Sequence, residues 1–322
     1  MQVPRSIRLA LTGAALCAAQ AAGAQQWPVK PVRMLVTFPP GGPSEIVTRM
    51  LNERLQGALK QPFVLENRVG ATGNVGADAV AKAPPDGHLF GITTDTVFTV
   101  NPLVFGNMPF DPWSDLAPVT PLGSFSQMLV CNPSVPAKTL AELLQLARRE
   151  KLTYASGGPG APGHLAAELL LSSAGVTMLH VPYKGPAAAT ADVVGGQVHC
   201  GFLATPTVMP QVRAGKLSAL AVSTAKRSPL APDVPPAAEA GSPGFDAPFY
   251  LVLFTSARVP QAIVARMSAE TAKALESPEV KDRAAAMDVV TVGGSPEDAR
   301  KVLKQAAAKW APVVQRIGLK LD

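Results

Sequence analysis

The sequence predicts an α/β protein with two lobes, each a mainly parallel sheet flanked by helices, and a cleft between the lobes. Short runs of β-branched residues alternate with Ala- and Leu-rich stretches, which is the pattern of repeated β–α units. The alternation is interrupted near residues 117–126 and then starts again, and the chain returns through a Pro-rich segment near 242–248. We therefore expect the chain to cross twice between the lobes. With 322 residues, 47% of them hydrophobic, the chain can fill two cores of ordinary size.

Residues 1–24 have the pattern of a cleaved secretory signal peptide. Two arginines precede an apolar run, and the small residues at 22–24 then match a signal-peptidase site. A membrane anchor is the alternative, but the run is shorter than the roughly 18 apolar residues of a spanning helix. A lipidated Cys17 is disfavoured by the bulky Leu16 before it. We therefore expect cleavage near Ala24 and an exported mature protein.

The first part of lobe 1 is predicted at residues 25–122. Strands are expected where apolar and β-branched residues are continuous, and helices where a polar residue begins a Leu- or Ala-rich segment. Ser44 should cap the first helix, because a serine hydroxyl accepts hydrogen bonds from first-turn N–H groups. The predicted elements are a strand at 32–38, a helix at 44–59, a strand at 63–66, a helix at 74–82 and a strand at 89–94.

Lobe 2 is predicted at residues 123–247, and residues 248–322 should return to lobe 1. The long helices of the returning segment should pack on the first sheet, which makes lobe 1 discontinuous in sequence. The predicted strands of lobe 2 lie around Tyr154, Leu179, Phe202 and Ala221, and its helices at 139–149, 164–173, 187–194 and 206–214. The predicted elements of the return are a strand at 250–254 and helices at 260–275, 278–286 and 296–317.

Charge and motif content exclude several classes of protein. The 29 Lys and Arg and 23 Asp and Glu give a net charge of +6, but the cations are scattered, so nucleic acid binding is not expected. The four His and three Cys show no metal-ligand spacing, and the GxSxG, HExxH and GxxxxGK[ST] motifs are missing from the sequence. We expect no metal, no cofactor and binding without catalysis. An enzyme with scattered catalytic residues is the alternative.

The pairing of Cys131 and Cys200 is left open by the sequence. An oxidising compartment outside the cytoplasmic membrane permits a disulfide between them. Both cysteines lie in strand-like apolar runs, which favours two buried free thiols.

Two loops have the composition of an anion site. The first loop, residues 38–44, and the second loop, residues 156–164, each join a strand to a helix and are rich in Gly and Pro. Small residues let backbone N–H groups approach a ligand, and a helix N-terminus adds unpaired donors and a positive dipole end. The sequence predicts that a carboxylate is held between the two loops, with ordinary tight turns as the alternative. The GxGxxG match at 158–163 does not predict a dinucleotide site, because it contains two prolines and the next strand ends without an acidic residue.

A series of short motifs extends in order from about residue 27 to residue 318. The motifs include Trp27-Pro28-Val29-Lys30-Pro31, Phe38-Pro39-Pro40-Gly41-Gly42, Gly73-Asn74-Val75-Gly76, Pro85-Asp86-Gly87-His88, Val181-Pro182-Tyr183-Lys184-Gly185 and Ala225-Lys226-Arg227-Ser228. This series resembles the Bug/TctC family, the periplasmic solute receptors of tripartite tricarboxylate transporters. The resemblance implies a type II-like periplasmic binding protein in which the two loops hold the carboxylate of a small solute.

The residues expected to line this site come from both lobes. Lys184 of the VPYKG motif has two interpretations, an ion pair with the ligand carboxylate or an exposed lysine beside a helix. The complete set of predicted ligand-binding residues is Phe38, Pro39, Gly41, Gly42, Ser44, Thr94, Asp95, Ser156, Gly157, Gly160, Ala161, His164, Tyr183, Lys184 and Leu203.

Four departures from the family pattern affect the choice of ligand. Glu45 stands where Asp is common, Ala161 where Ser is common, Leu203 where an acid is common and Asp95 where Asn or Gly is common. The loss of a hydroxyl and an acid favours a less polar ligand, whereas Asp95 favours an amine or hydroxyl donor. These indications conflict, so the sequence does not name the solute.

The resulting hypothesis is a periplasmic receptor that captures a small carboxylated solute and delivers it to the permease subunits of a tripartite transporter. A periplasmic sensor that signals to a membrane protein is the alternative with the same fold, and an enzyme acting on a carboxylate is the third. We expect a monomer.

Overall fold

The computed structural model describes residues 27–40 and 42–321. The predicted signal peptide with its Cys17 and Gly41 of the first loop lie outside the described residues. Within the described ranges, no helix is both long and apolar enough to cross a membrane.

The strands of the described chain form two sheets. In chain order they are β1 Val32–Val36, β2 Phe63–Asn67, β3 Leu89–Thr94, β4 Leu116–Phe125, β5 Gln127–Cys131, β6 Thr153–Ser156, β7 Leu179–Pro182, β8 Cys200–Ala204, β9 Ser218–Val222, β10 Phe249–Ser256 and β11 Val289–Thr291. Lobe 1 contains the six-stranded sheet, in the order β11-β4-β10-β3-β1-β2. Lobe 2 contains the five-stranded sheet, in the order β7-β6-β8-β5-β9.

Both sheets are mixed, so the prediction of mainly parallel sheets is wrong. Strand β1 pairs in parallel with β2 and β3, and β6 pairs in parallel with β7 and β8. The pairings of β4 with β10 and β11, of β10 with β3, and of β5 with β8 and β9 are antiparallel. Parallel neighbours need a crossover connection, usually helical. Strands β4, β5 and β10 instead carry the chain between the two sheets.

Helices flank both sheets. They are α1 Pro43–Leu59, α2 Asn74–Ala81, α3 Thr96–Thr99, α4 Asn101–Val104, α5 Leu140–Ala147, α6 Pro162–Ser173, α7 Pro186–Val194, α8 Thr205–Arg213, α9 Gln261–Glu276, α10 Pro278–Ala285 and α11 Pro296–Ile317. All except the short α3 and α4 lie close to the predicted positions. The predicted cap of α1 is wrong. Gly42 is the N-cap and Pro43 follows it, while Ser44 lies inside the first turn. Proline suits this first position because its missing N–H would have no partner there.

The first crossover between the sheets occurs at Ser126. Strand β4 fills the predicted interruption with ten residues, and only Ser126 separates it from β5. The sequence hid this strand because Pro118 and Pro121 lie within it, and proline normally argues against a strand interior. The return runs from β9 through residues 223–248 to β10.

The C-terminal helix α11 packs on the six-stranded sheet. Trp310 is fully buried and stacks on Phe249 at the start of β10, with ring centroids 4.9 Å apart. Ser295 and Asp298 form a capping box at the start of the helix. The returning strand and the final helix are thus tied together beside the second crossover.

Cys131 and Cys200 form a disulfide, so the favoured expectation of free thiols is wrong. Strands β5 and β8 pair antiparallel with Cys131 directly opposite Cys200. Both residues are fully buried, in agreement with the strand-like pattern around them. The sequence could not give this register, which depends on the pairing of strands that are far apart in the chain.

Candidate functional site

The carboxyl ends of the parallel strands of both lobes lie beside the first crossover. At the end of β3, the carboxylate of Asp95 accepts a hydrogen bond from the N–H of Tyr250 in β10, and Tyr250 lies opposite Ser124 of β4. At the end of β8, Ala204 pairs with Gln127, the residue after Ser126. The strand ends at which an open α/β sheet binds ligands therefore face the junction between the lobes.

The first loop is the more exposed of the two predicted ligand loops. Pro39 is exposed, whereas Phe38 and Gly42 are partly buried and Ser44 is buried. The Phe38 carbonyl accepts a hydrogen bond from the Asn67 side chain at 3.0 Å. The N-cap of helix α1 is Gly42, which has no side chain to accept a hydrogen bond from the first turn of the helix.

A hydroxyl cluster lies at the end of β3. The Oγ1 atoms of Thr94 and Thr96 are 2.6 Å apart, and the Thr37 hydroxyl donates to Thr93 at 2.9 Å. All four side chains are buried. The hydroxyl of the predicted site residue Thr94 is thus already paired with another hydroxyl.

Asp95 is fully buried beside this cluster. Its Oδ1 accepts from the Tyr250 N–H at 3.1 Å, and its Oδ2 has no hydrogen-bond partner among the described residues. Burial raises the pKa of Asp95 to about 7, and the hydrogen bond from Tyr250 and the nearby Trp310 and Lys309 offset this only in part. The carboxyl group therefore loses its proton at a higher pH than an exposed aspartate does.

The second loop is held from below by buried side chains. The hydroxyl of Ser156 donates to the Gly158 carbonyl at 3.1 Å and lies 2.7 Å from Nε2 of His180. Gly160 has a φ of 72°, a conformation that favours glycine, whereas Gly157 lies outside the range of strained positive φ. The N–H of Gly160 donates to Nδ1 of His164 at 3.0 Å.

Three aromatic rings form a column beneath the second loop. His164 and His180 stack with centroids 4.0 Å apart, and Tyr154 stacks on His180 at 4.9 Å. Burial lowers the pKa of His164 to about 3, with a further contribution from His180, and burial lowers the pKa of His180 to about 4. Both imidazoles are therefore neutral near pH 7, and Nδ1 of His164 is able to accept the Gly160 N–H.

Helix α6 begins directly after the second loop. Ala161 is its N-cap and has no side-chain hydrogen bond, and Pro162 follows it. A Cβ atom on Gly163 would lie 1.9 Å from the Phe202 carbonyl oxygen, so the helix start touches the backbone of β8. The two predicted loops therefore share one feature, a helix that begins without a side-chain cap.

The remaining predicted site residues lie at the ends of β7 and β8. Tyr183 is partly buried and its hydroxyl donates to Asp192 at 2.6 Å, while Lys184 is exposed. Leu203 is 1% exposed and belongs to an apolar cluster with Met128 and Val208. The structure therefore places Lys184 at the surface and Leu203 in the core.

The sequence missed a polar loop beside the hydroxyl cluster. The amide of Asn101 donates to Oδ1 of Asn74 at 2.6 Å and to the Thr72 carbonyl at 3.2 Å. Thr72 has a φ of 49°, and a Cβ atom on Gly73 would lie 3.1 Å from the Thr37 hydroxyl. The Gly-Asn motif at 73–74 was the available signal, since conformations of this kind need glycine or short polar residues.

The sequence also missed a carboxylate at the first crossover. Oδ2 of Asp288, which precedes β11, accepts from both the N–H and the hydroxyl of Ser126, at 2.9 and 2.6 Å. Its Oδ1 accepts from the hydroxyl of Ser228, in the segment that leads back to lobe 1. Burial raises the pKa of Asp288, and these hydrogen bonds oppose the rise. This carboxylate links both crossovers.

A family model described as the tripartite tricarboxylate transporter family receptor matches residues 47–319. The chain belongs to this receptor family. The family predicted from the sequence motifs is therefore confirmed.

Solved structures of similar proteins agree with this assignment. Rpa4515 of R. palustris with adipate has a TM-score of 0.85 and 33% identity, covering 91% of this chain and 99% of that one. MatC of Rhodopseudomonas palustris with bound malate has a TM-score of 0.79 and 29% identity, covering 89% of this chain and 100% of that one. The periplasmic binding protein BugD has a TM-score of 0.80 and 28% identity, covering 91% and 99%.

These similarities confirm the two-lobed α/β fold. Family members are receptors, and the two relatives named with a ligand hold dicarboxylates. The expectation that the chain is a receptor and not an enzyme is confirmed by this membership.

Proposed function

We propose that this receptor captures a small carboxylated solute in the periplasm, between its two lobes, and delivers it to the membrane permease of a tripartite tricarboxylate-type transporter. The observation that carries the proposal is family membership together with relatives that bind adipate and malate. The periplasmic binding protein BugD and the predicted signal peptide support the location.

The two uncapped helix starts would supply the carboxylate contacts. In the first loop this is the N–H of Ser44 at the start of α1, and in the second loop it is the N–H groups at the start of α6. Glu45 lies in the first turn of α1, and its charge is balanced by Arg49, whose Nε donates to it at 2.8 Å. We propose that Phe38, Gly42, Gly157, Gly160 and His164 line the cleft, and that the fully buried Ser156, Asp95 and Leu203 make no direct ligand contact.

The permease would recognise the ligand-bound receptor by the closed arrangement of its lobes. A ligand that contacts both loops binds the closed form more tightly than the open form and shifts the equilibrium towards closure. We propose the predicted division into lobe 1 (25–122 and 248–322) and lobe 2 (123–247), with the first boundary moved to Ser126 because β4 stays in the six-stranded sheet as far as Phe125. The hinge then contains the two crossovers. The hydrogen bonds of Asp288 to Ser126 and Ser228 would limit the hinge movement.

Thermal unfolding of the mature protein with adipate, malate and citrate tests the binding proposal, and hexane-1,6-diol serves as the uncharged control. A ligand at 100 times its Kd should add roughly 2.7 kcal/mol to the free energy of unfolding. Gly42→Trp should abolish the shift, since a Cβ atom there would lie 3.9 Å from the Pro39 carbonyl and leave room for a side chain that blocks the cleft. Gly160 is the poorer site for such a variant because its φ is 72°.

Gly57→Trp is the matched control, on the exposed side of the same helix, where a Cβ atom meets no atom within 4 Å. Gly57→Trp should keep the full increase in unfolding temperature on addition of the carboxylate. If this increase also persists in Gly42→Trp, the carboxylate does not bind in the proposed cleft. The absence of any shift, in protein whose denatured extract holds no acid by mass spectrometry, would contradict carboxylate binding. Uptake of the same acid by cells with and without this gene tests delivery to a permease.

A further inference from the structure

A groove of about 730 Å³ separates helix α6 of lobe 2 from the C-terminal end of helix α11 of lobe 1. Its volume is within the range of small-ligand pockets. The described residues of the first loop and the end of β3 contribute nothing to its lining. The groove therefore lies apart from the first loop but adjoins the second loop, because Pro159 and His164 both line it.

One wall of the groove is apolar and comes from both lobes. Leu171 and Met178 belong to lobe 2, whereas Leu319 and Leu321 follow helix α11. The N–H of Leu321 donates to the Val104 carbonyl at 2.7 Å, which fixes the C-terminal segment to lobe 1. A hydrocarbon chain of a ligand would be buried against this wall, and removal of its apolar surface from water favours binding.

His164 supplies an unused hydrogen-bond donor to the groove. Its side chain is 6% exposed, and Nδ1 accepts the N–H of Gly160. In the neutral ring the proton therefore lies on Nε2. No hydrogen bond joins Nε2 to a described residue, and Nε2 is not one of the buried unpaired polar atoms of the described chain, so this N–H is accessible to a ligand or water in the groove.

The charged lining residues are two cations and one anion. Arg316 is exposed and donates to the Ser172 hydroxyl, and Lys320 is exposed beyond the end of α11. Glu168 lies on the facing helix, where its Oε1 accepts from the Tyr154 hydroxyl at 2.6 Å. The cations attract one carboxylate, and the anion repels a second.

We propose that this groove binds a small amphipathic monocarboxylate, in addition to the solute in the cleft. Arg316, Lys320 and Nε2–H of His164 hold the carboxylate, and the hydrocarbon chain covers the apolar wall. Glu168 selects against dicarboxylates. Since the walls come from both lobes, the occupant also resists separation of the lobes on this side.

Hexanoate and adipate are suitable probes because their carbon chains have the same length and only adipate has a second carboxylate. The chain contains four histidines, whose imidazole C–H signals are resolved by NMR. The titrations use Gly42→Trp, in which the cleft is blocked. Hexanoate should shift the signals of His164 and His180, which line the groove, and leave those of His88 and His199 unchanged. Adipate should bind about tenfold more weakly than hexanoate, as expected for the repulsion of a second anion near Glu168.

Three variants with exposed or half-buried side chains locate the site. Arg316→Glu should weaken hexanoate binding about tenfold, because it replaces a charge-assisted hydrogen bond with repulsion. Thr177→Trp, at an exposed position in the lining, should block the groove. Glu168→Gln should raise the affinity for adipate to nearly that for hexanoate, because it removes the negative charge that repels the second carboxylate. Arg300→Glu, on the exposed side of the same helix α11, is the matched control and should bind hexanoate as the parent does.

Each other outcome overturns the proposal. If hexanoate leaves the His164 and His180 signals unchanged, or if Arg316→Glu and Arg300→Glu bind it equally, the groove is not a carboxylate site. Hexanoate shifts that occur with an open cleft and vanish in Gly42→Trp would place hexanoate in the cleft, which overturns this inference and supports the function proposed above. Equal affinity for adipate would exclude the selectivity assigned to Glu168.

Discussion

The first and second loops follow equivalent strands in the two lobes, yet their supports differ. In the first loop, the prolines at 39 and 40 are exposed and an exposed hydrogen bond from Asn67 holds the Phe38 carbonyl. In the second loop, Ser156 and His164 are buried and bind the loop backbone, with His180 stacked beneath. From this difference we predict that, in the proposed cleft, lobe 2 presents a preorganised ligand surface and lobe 1 adjusts to the ligand on closure.

The largest expected effect is that of Gly163→Ala at the start of helix α6. The new Cβ atom would lie 1.9 Å from the Phe202 carbonyl oxygen, and neither backbone can move without displacing a strand or a helix. We expect a loss of about 3 kcal/mol in the free energy of unfolding, measured by urea denaturation. Gly157→Ala in the same loop is the control, since its Cβ atom would meet Pro186 at 3.5 Å, an ordinary contact. Equal stability of the two variants would mean that the second loop is not rigid.

The next largest effect compares the side chains that hold the two loops in place. His164→Phe keeps a ring in the stacked column and removes the acceptor for the Gly160 N–H, so it should cost about 2 kcal/mol. Asn67→Ala, which removes the corresponding contact of the first loop, should cost only about 0.5 kcal/mol because that bond is exposed. Hydrogen exchange of the Gly160 amide gives a second readout. Unchanged protection of this amide in His164→Phe would show that His164 does not hold the loop.

The two lobes should also respond in opposite directions to pH. The pKa values of His164 and His180 are lowered to about 3 and 4, so the unfolded chain binds more protons below about pH 6.5 and stability falls as the pH drops towards 4. The pKa of Asp95 is raised to about 7, so the folded state binds more protons and stability falls as the pH rises from about 4 to about 7.

Asp95→Asn tests the second of these effects. The amide keeps an acceptor for the Tyr250 N–H and cannot ionise, so the variant should lose less stability between pH 6 and pH 8 than the parent, by about 1.4 kcal/mol. Urea denaturation at both pH values measures the difference. Parallel changes in the two proteins would mean that Asp95 does not titrate in this range.

The smallest expected effect is that of Lys184→Gln. Lys184 is exposed, and the structure gives it no hydrogen bond or ion pair among the described residues, so it should contribute little to carboxylate binding. We expect the Kd of the bound carboxylate to rise by no more than about twofold at 0.15 M salt, measured by calorimetry. A tenfold loss would establish an ion pair with the ligand and would move this residue into the site.

The sequence predicted most elements because their patterns are local. Strand 89–94 and helix 296–317 were predicted with the observed bounds, since β-branched continuity and capping residues lie within each segment. Strand β4 was missed because its prolines contradict the local rule, and its partners are distant in the chain. In the candidate site, the loops could be predicted from glycine and proline, whereas the imidazole column could not, because His164 and His180 meet only when β6 and β7 pair.

The sequence by itself determined the α/β class, the receptor family and the two loops at which a carboxylate is expected. These depend on composition, on local periodicity and on motifs that are each a few residues long. Only the tertiary structure decided the disulfide between Cys131 and Cys200, the partners of Asp288 and the groove beside helix α11. Each of these requires the register or packing of segments far apart in the chain, and that register is set by burial of the whole core rather than by neighbouring residues.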